Sequence, residues 1–476
     1  MRKIALHWQI FIALIFSVVY GLYFHTQYTL AEDSLRQLEK QNINKEVITA
    51  LKVLDGKIYD QKKPFVKDVE SVLKQFEGNE TVNLKATEKA IITAGYSNKA
   101  VDWVSWMGTL FMRALKMLII PLILSSIISG VTNIGNSDSL GRIGLKTISY
   151  YIFTSAFAIV TGLIFVNLLH PGVGVDTNFV ESAEGFIKTQ SSIGKTLMEI
   201  VPTNIVEAMA NGEMLSIIFF AVVFGFFITR IGHKPQTILK DFFNAMFDVM
   251  MKITMWVIRF TPLGIFGIVS KTIADVDDLA GLASSMGIYM LTVILALSFH
   301  ALVTLPFIVK FIGKASPIKH FRAVTTPLMT AFSTSSSGAT LPLTMSAVEK
   351  NDGVSNKISS FTLPLGATIN MDGTALYECV AAIFIAQAYG VNLSITQQVM
   401  VVVVALLTSI GAAAIPMAGF VMITVILTAV GLPLEGVGLI LSVDRLLDMF
   451  RTSVNVWSDT CGAVTIAKSE GEKLKV

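Results

Sequence analysis

Residues 443–459 read VDRLLDMFRTSVNVWSD, and they place ionisable side chains in an otherwise apolar segment near the carboxyl end of the chain. Successive polar members are four, three, four and four residues apart, so they share one face of a single α-helix; they are Asp444, Asp448, Arg451, Asn455 and Asp459. An ionised side chain at the centre of a spanning helix costs roughly 2.5–3.5 kcal/mol. The stripe therefore indicates a binding site or an ion path. A short amphipathic helix lying on a membrane surface is the alternative.

The composition predicts an α-helical protein that crosses a membrane several times. Of the 476 residues, 53% are hydrophobic and only 15% are charged, whereas a soluble domain carries about 25% charged residues. Most of the long apolar runs could cross a hydrocarbon core of ~30 Å; they cover residues 8–24, 110–131, 148–168, 215–231, 288–312 and 412–430. The net charge of +3 does not favour nucleic acid, and both cysteines lie in apolar segments, which argues against a disulfide framework.

Basic residues predict the orientation. They precede the first apolar run, occur in the loops at 230–240 and 310–322, and recur in the tail AKSEGEKLKV. The positive-inside rule places these segments, and with them both termini, in the cytoplasm. The first apolar run lacks a convincing cleavage site, so we interpret it as a retained helix. The polar segment 26–99 then lies outside, as either a small helical cap or a mobile loop.

Two segments near the carboxyl end share one pattern, which predicts an internal repeat. TTPLMTAFSTSSSGATLPLTM (325–345) and TSIGAAAIPMAGFVM (408–422) both run from serine through small residues to proline, and Ser335–Pro342 matches Ser409–Pro416 in length. Each is followed by a long apolar helix with a polar interruption, the first at 370–374 and the second at the stripe. Repeats with broken helices point to a binding site at the midplane of a transporter.

Three groups of residues in this region suit a charged cargo. The serines 335–337 at a hairpin tip could bind an anion through helix N-termini, although they would also suit a surface turn. The segment 366–374 gathers oxygen ligands for Na⁺, unless Asp372 is paired with a lysine or arginine in a merely kinked helix. Arg451 suits a carboxylate, Asp448 an ammonium and Asn455 either group, so they match a zwitterion with a second carboxylate. A self-neutralising Asp448–Arg451 pair is the alternative.

The sequence lacks the common motifs of ATP-driven transporters and of hydrolases. It contains no Walker loop and no G-x-S-x-G motif, so neither ATP-driven transport nor hydrolase chemistry has support. The hydroxyls of Tyr150-Tyr151-Ile152-Phe153-Thr154-Ser155 lie in an apolar helix, where such groups often bond to helix carbonyls. We therefore expect a protein that is not an enzyme.

Four segments closely resemble the signature segments of the dicarboxylate/amino-acid:cation symporter family, which includes excitatory amino-acid transporters and bacterial glutamate/aspartate transporters. They are STSSSGATLPLTM, LPLGATINMDGTALYE, TSIGAAAIPMAG and DRLLDMFRTSVNVWSD, in that order along the chain. The likeness covers the whole chain except residues 26–99. It implies a homotrimer that transports by an elevator mechanism. Each all-α protomer would have eight spanning helices, two re-entrant helical hairpins and inverted repeats.

The resemblance also implies domain boundaries. A static scaffold would comprise helix 1 (1–25), helix 2 (101–145), and the loop with helices 4 and 5 (173–275). A moving transport domain would comprise helix 3 (146–172) and the segment 276–467 with helix 6, hairpin 1, helix 7, hairpin 2 and helix 8. The segment 26–100 would be an extracytoplasmic insertion, and 468–476 a cytoplasmic tail.

Site residues follow from the family motifs, position by position. The substrate residues would be Ser335, Ser337, Thr374, Ile415, Gly419, Asp448, Arg451, Thr452 and Asn455. A first sodium set would be Gly366, Asn370, Asn455 and Asp459; a second, Thr368, Ser409, Ile410 and Ala412; a third, Tyr151, Thr154, Ser155, Asn370 and Asp372. The chain departs from the family by lacking arginine at both Ser335 and Met449, where archaeal and animal members respectively carry one.

The expected activity is therefore symport of Na⁺ with aspartate or glutamate across a bacterial cytoplasmic (inner) membrane. The expected partners are the acidic amino acid, membrane lipid and two further copies of the chain, with Na⁺ as coupling ion, no organic cofactor and no nucleic acid. An H⁺- or Na⁺-coupled C4-dicarboxylate carrier is one alternative, against which Asp448 argues because a dicarboxylate has no ammonium. A ligand-gated anion channel or receptor is another.

Overall fold

The computed structural model describes residues 6–41, 43–76, 84–134, 141–174, 201–276, 278–411 and 418–476. The helices are α1 (Leu6–Tyr23), α2 (Glu32–Lys40), α3 (Lys45–Leu51), α4 (Lys62–Leu73), α5 (Leu84–Gly95), α6 (Lys99–Ile134), α7 (Gly141–Leu169), α8 (Ile205–Asn211), α9 (Met214–Ile228), α10 (His233–Ile258), α11 (Thr261–Asp275), α12 (Leu279–Phe299), α13 (Leu305–Phe311), α14 (Pro317–Thr334), α15 (Ser337–Ala347), α16 (Asn356–Ile369), α17 (Asp372–Ala388), α18 (Ile395–Gly411), α19 (Ala418–Ala429) and α20 (Val437–Ser469). The strands are β1 (Gln27–Thr29), β2 (Ile58–Tyr59) and β3 (Tyr96–Ser97). Among the described residues, most therefore lie in helices.

The chain divides into two compact units. The first unit comprises the described residues of 1–112 and 260–282, and the second those of 113–175, 179–259 and 283–476. In the first unit α1 packs along α11. A side chain at Gly21 would meet the carbonyl oxygen of Ser270 at 2.7 Å, and one at Gly267 would meet backbone atoms of Gly108. Glycine is therefore needed at these helix crossings.

The segment between α1 and α6 folds around a core of its own, which favours the compact cap over the mobile loop. Its strands form an antiparallel sheet in the order β2–β1–β3, with Tyr28 opposite both Tyr59 and Tyr96. Fully buried apolar side chains fill the space beneath the sheet; they include Leu30, Leu38, Val47, Leu51, Phe65, Val69 and Ile91. The expectation of helices alone was wrong here, because strands of two or three residues leave no readable alternation.

Both ends of this segment bind the same place in the first unit. The Thr26 N–H donates to the Ala274 carbonyl at 3.0 Å, and the Thr26 hydroxyl donates to Asp275 at 2.6 Å. The Asn98 amide donates to the Phe24 carbonyl at 2.7 Å and to the Thr26 hydroxyl at 3.0 Å. The insertion therefore leaves α1 and enters α6 at adjacent points.

In the second unit α17 is the central helix. All its residues except Gln387 are buried, and it packs against α7, α18, α19 and α20. A helix that is apolar on every side belongs in the interior of a bundle. A second apolar cluster lies where α14 and α16 pack on α20, and it includes Leu305, Val324, Val348, Ile358 and Trp457.

The two repeated segments each form paired helices. The first is α14 followed by α15, which pack together and turn at Ser335, whose φ is 50°. The second is α18 followed by α19, also packed together, with the intervening tip at 412–417 outside the described residues. The predicted interruption at 370–374 is confirmed as a helix break at Asn370 and Met371, between α16 and α17.

Three helical stretches of the described chain are long and apolar enough to cross a membrane: 142–169, 279–311 and 356–388. The pair 233–257 and 261–275 would add a fourth if its two helices form one bent span. The two helices of this pair are separated just before Pro262, since α10 ends at Ile258 and α11 begins at Thr261. The expected total of eight spanning helices stays a prediction.

Candidate functional site

The stripe on α20 is buried inside the second unit. Exposed fractions of its members are 4% for Asp444, 8% for Asp448, 1% for Arg451, 6% for Asn455 and 3% for Asp459. This burial excludes the alternative of a helix lying on a membrane surface. Because each buried charge needs a partner, the contacts of these side chains decide what the site can bind.

Arg451 is held between two carboxylates and an aromatic ring. Its Nη2 donates to Asp448 Oδ1 at 2.7 Å, and its Nη1 lies 3.2 Å from Asp444 Oδ1. Its guanidinium carbon lies 4.0 Å from the centre of the Tyr377 ring, a cation–π contact. The Tyr377 hydroxyl donates to Asp444 at 2.7 Å. The pairing of Asp448 with Arg451 that the sequence left open is thus present in this arrangement.

Asn455 connects the stripe to the first turn of α17. Its Oδ1 accepts from the Gly373 N–H at 2.7 Å, and its Nδ2 donates to the Thr374 hydroxyl at 3.1 Å. A side chain at Gly373 would lie 2.6 Å from the Arg451 carbonyl oxygen, so only glycine lets α17 approach α20 this closely. The predicted substrate residues Thr374, Arg451 and Asn455 are therefore brought together.

The first hairpin tip lies against the helix break. Ser335 adopts a left-handed conformation and is buried, and its hydroxyl has no hydrogen-bond partner among the described residues. Ser336 caps α15 by accepting from the Ala339 N–H at 3.2 Å. The Ser337 hydroxyl donates to the Ala367 carbonyl at 3.4 Å. The amino end of α15 is thus a place where an anion would be favoured.

The second hairpin is described on either side of its tip. Gly419 faces the guanidinium, because a side chain there would come within 2.6 Å of Arg451 Nη1. Ser409 is buried, and Ile410 lies in the last turn of α18. Ile415 and Ala412, predicted for the substrate and for Na⁺, lie outside the described residues. Thr452 is buried beside Arg451 on α20.

The third predicted sodium set is assembled around Asp372. Asp372 Oδ1 accepts from the Ser155 hydroxyl at 2.6 Å and lies 3.3 Å from the Thr154 hydroxyl, which also approaches Asn370 Oδ1 at 3.4 Å. The Tyr151 hydroxyl instead donates to the Thr362 carbonyl at 2.7 Å. Dense oxygen groups of this kind suit a hard cation.

The first predicted sodium set is adjacent and shares Asn370. The Asn370 amide donates to Asp459 Oδ1 at 2.9 Å. A side chain at Gly366 would clash with Asp459 and with the Tyr151 hydroxyl, so the backbone there lies close to both. The second set is less developed: α16 packs on α18, but the Thr368 side chain is exposed and its hydroxyl donates to Leu365 within its own helix.

The structure adds residues that the sequence reasoning missed. His300 Nε2 lies 3.1 Å from Asp372 Oδ2, and the Ser458 hydroxyl donates to the same oxygen at 2.6 Å. In the described ion pairs Asp372 therefore faces a histidine, not the lysine or arginine of the alternative interpretation. His300 opens a π-helical turn, His300–Thr304, between α12 and α13. The sequence did contain a signal for His300, because an ionisable residue inside a membrane-spanning helix indicates a functional site.

Glu378 is a second missed residue. Its side chain is fully buried; Oε2 accepts from the Thr408 hydroxyl at 3.4 Å, while Oε1 has no hydrogen-bond partner in the described structure. A buried carboxyl group with an unpaired oxygen is costly, which marks it as a candidate functional group. The signal in the sequence was an acidic residue in the otherwise apolar run after Thr374.

Comparison with known proteins gives one consistent result. The family model of the sodium:dicarboxylate symporter family matches residues 6–469. The chain is 38% identical over 411 residues to an excitatory amino acid transporter of Caenorhabditis elegans, covering 77% of this chain and 81% of the relative. It is 36% identical to the proton/sodium-glutamate symport protein of Bacillus subtilis and to the proton/glutamate-aspartate symporter of Escherichia coli, in each case over 79% of this chain and 88% of the relative. The chain belongs to the sodium:dicarboxylate symporter family, and it is therefore an integral membrane transport protein.

Proposed function

We propose that this protein couples the entry of Na⁺ to the uptake of an acidic amino acid, aspartate or glutamate. The observation that carries the proposal is the buried Arg451 guanidinium, which pairs with two carboxylates and lies next to Gly419 of the second hairpin. The names of the relatives, which include glutamate and glutamate-aspartate symporters, support the same substrate class.

Binding would proceed by exchange of ion-pair partners. The side-chain carboxylate of the substrate would take the planar fork of Arg451, and Asp448, thereby released, would take the ammonium. Asn455, Thr374 and the amino end of α15 with Ser335 and Ser337 would receive the α-carboxylate, with Ile415, Gly419 and Thr452 completing the site. Each buried charge keeps a partner before and after binding, so little desolvation is left uncompensated. A C4-dicarboxylate brings no ammonium for Asp448, which would keep only its 3.4 Å ion pair with Arg445.

Sodium would be coupled to the substrate through the helix break. The Asp372 and Asp459 groups share Asn370, and the next turn of α17 carries Gly373 and Thr374, which bond Asn455. A cation that orders this break would therefore position the substrate residues. Substrate and Na⁺ together would close the second hairpin, and closure would allow an elevator movement of the transport domain within a homotrimer. Both termini would lie in the cytoplasm.

Uptake into proteoliposomes tests the proposal. Labelled aspartate, glutamate and succinate would be offered under imposed Na⁺ or H⁺ gradients, with equal ion concentrations as control. We expect Na⁺-driven accumulation of one or both amino acids and little succinate. Succinate accumulation would establish the dicarboxylate alternative, and ligand-evoked anion current without accumulation would establish the channel. Uptake that is driven by the H⁺ gradient and unaffected by the Na⁺ gradient would refute the proposal that Na⁺ is the coupling ion.

Proton coupling is a second candidate, favoured by Glu378. Relatives are named proton/sodium-glutamate symporters, and Glu378 is a buried carboxyl group with one unpaired oxygen, positioned on the helix that follows the break. A Glu378→Gln variant keeps the shape and the Thr408 contact but cannot carry a proton. If Glu378 carries one, an inward H⁺ gradient accelerates uptake in the parent and not in the variant. Equal acceleration in both proteins would exclude Glu378 as the proton carrier.

A further inference from the structure

A large cavity lies in the second unit, away from the substrate site. It is an open cleft with a volume of about 1030 Å³, lined by α7, by α12 with the π-helical turn and α13, and by the last turns of α20. Its wall is mainly apolar and aromatic, with Phe153, Phe157, Phe299 and Phe307 among the lining residues. These four phenylalanines have no proposed role in substrate or sodium binding, whereas Thr154 of the third sodium set also lines the cavity.

The cavity follows the membrane-spanning part of these helices. Residues 142–169 and 279–311, which form two of its walls, are two of the stretches long and apolar enough to cross a membrane. Lining residues extend along α7 from Leu145 to Ile164, a path of about 28 Å at 1.5 Å per residue. The depth of the cavity is therefore close to the ~30 Å thickness of a hydrocarbon core. Since the acyl chains of one leaflet fill half of that core, about 15 Å, a cleft of this length has room for the chains of one phospholipid.

Among the lining residues of the cavity, the charged side chain lies at one end. Lys146, Ser149 and Ser469 line it there. The Lys146 ammonium lies 2.6 Å from Glu470 Oε1, and Arg142 Nη2 lies 2.5 Å from Glu470 Oε2. Two cations thus share one carboxylate, so these three side chains together carry a net positive charge. Basic pockets between spanning helices favour anionic lipid headgroups.

We propose that this cavity binds one anionic phospholipid, with its acyl chains along Phe153, Phe157 and Phe307 and its headgroup at Arg142 and Lys146. The lipid would touch Thr154, whose side chain lines the cavity and whose hydroxyl lies 3.3 Å from Asp372. This binding does not depend on which substrate the protein carries.

Native mass spectrometry of the purified full-length protein tests the proposal with two lipids, phosphatidylglycerol and phosphatidylcholine. Val160 and Ile152 are a matched pair, because both lie on α7 and the residues are 42% and 41% exposed, but of the two only Val160 lines the cavity. We expect Val160→Trp to lower phosphatidylglycerol retention about tenfold by displacing acyl methylenes. Ile152→Trp should retain as much as the parent. Equal retention by both variants would overturn the cavity as the lipid site.

Charge variants test the headgroup. Lys146→Gln should remove the preference for phosphatidylglycerol over phosphatidylcholine, whereas Lys319→Gln, an exposed lysine away from the cavity, should not. Glu470→Gln should raise phosphatidylglycerol retention, because it leaves both cations to the lipid. If the parent protein retains both lipids equally, the proposal that the site selects an anionic headgroup is refuted. An inter-subunit disulfide formed by Phe157→Cys would show that another copy of the chain covers the cavity instead. Aspartate-induced thermal stabilisation checks that each variant is folded.

Discussion

At the scale of single residues, Arg451 is the centre of the proposed site, where it contacts Asp444, Asp448 and Tyr377. It is 1% exposed and pairs with both Asp444 and Asp448, so in the proposed site it would contribute to the fold and to substrate binding at once. Asp444, which has no role among the predicted site residues, is bound by both Arg451 and Tyr377.

Replacing Arg451 tests its role. Arg451→Cys should reduce uptake of acidic amino acids about 100-fold, since a charge-assisted bidentate contact is lost, while neutral amino acids are spared or newly accepted. Proteoliposome uptake measures both. Because this change leaves two buried carboxylates, Arg451→Lys serves as a second variant that keeps the charge and loses only the fork. Arg322→Cys, at an exposed position, is the control. Unchanged aspartate affinity in Arg451→Lys would contradict the assignment.

Gly373 is predicted to be irreplaceable for steric reasons. In Gly373→Ala the new methyl group would lie 2.6 Å from the Arg451 carbonyl oxygen and 3.1 Å from its Cα, so backbone must move. We expect a loss of about 1–3 kcal/mol of stability, seen as a lower melting temperature in detergent. Gly287→Ala is the matched control, because nothing lies within 4 Å of that position and alanine favours a helix by up to ~1 kcal/mol. Equal melting temperatures for both variants would disprove the close approach.

At the scale of elements, the carboxyl-terminal tail fastens one end of the second unit. Glu470 binds Arg142 and Lys146 at the start of α7, and Glu472 accepts from the Ser355 N–H at 2.9 Å and from its hydroxyl, just before α16. The Lys475 N–H donates to the Asp352 carbonyl at 2.8 Å. The last seven residues thereby join two regions distant in sequence, the start of α7 and the segment 352–355 before α16.

The Glu470 contacts predict a dependence on pH. Hydrogen bonds from Lys146, and then from Arg142, lower the pKa of Glu470 below its ordinary value. A lowered carboxyl pKa adds stability above the unfolded pKa, about 4.3 for glutamate, and this stability is lost as the pH falls through the folded pKa. The melting-temperature difference between parent and Glu470→Gln should therefore be constant near neutral pH and shrink below about pH 4.3. A melting-temperature difference that grows on acidification would refute the stabilising role of the Glu470 contacts. Glu39→Gln, at an exposed site, is the control.

At the scale of the whole molecule, all described residues of the proposed site lie in the second unit, and the insertion lies in the first. Because the insertion begins and ends at adjacent points, at Thr26 and Asn98, residues 28–96 could be replaced by a short glycine-serine linker. We expect the shortened protein to fold and to retain Na⁺-dependent uptake. Uptake lost by a protein that still binds aspartate would show that the insertion takes part in transport.

The repeat and the polar interruptions could be predicted because they depend on local pattern. A run of small residues between apolar helices, and charges at helical spacing, are visible in a sequence without any neighbour. The strands of the insertion could not be predicted, since β1, β2 and β3 have two or three residues each and are stabilised by pairing and by the core beneath them.

The sequence by itself determined that the chain crosses a membrane, that α20 carries its polar side chains on one face, and that a helix breaks at Asn370. These features follow from composition and periodicity, which are properties of a single segment. Only the tertiary structure decided that Arg451 faces Asp444 as well as Asp448, that His300 and Ser458 join Asp372, and that Glu378 keeps an unpaired oxygen. Such contacts join residues up to 86 positions apart, and they exist only after packing has placed the helices side by side.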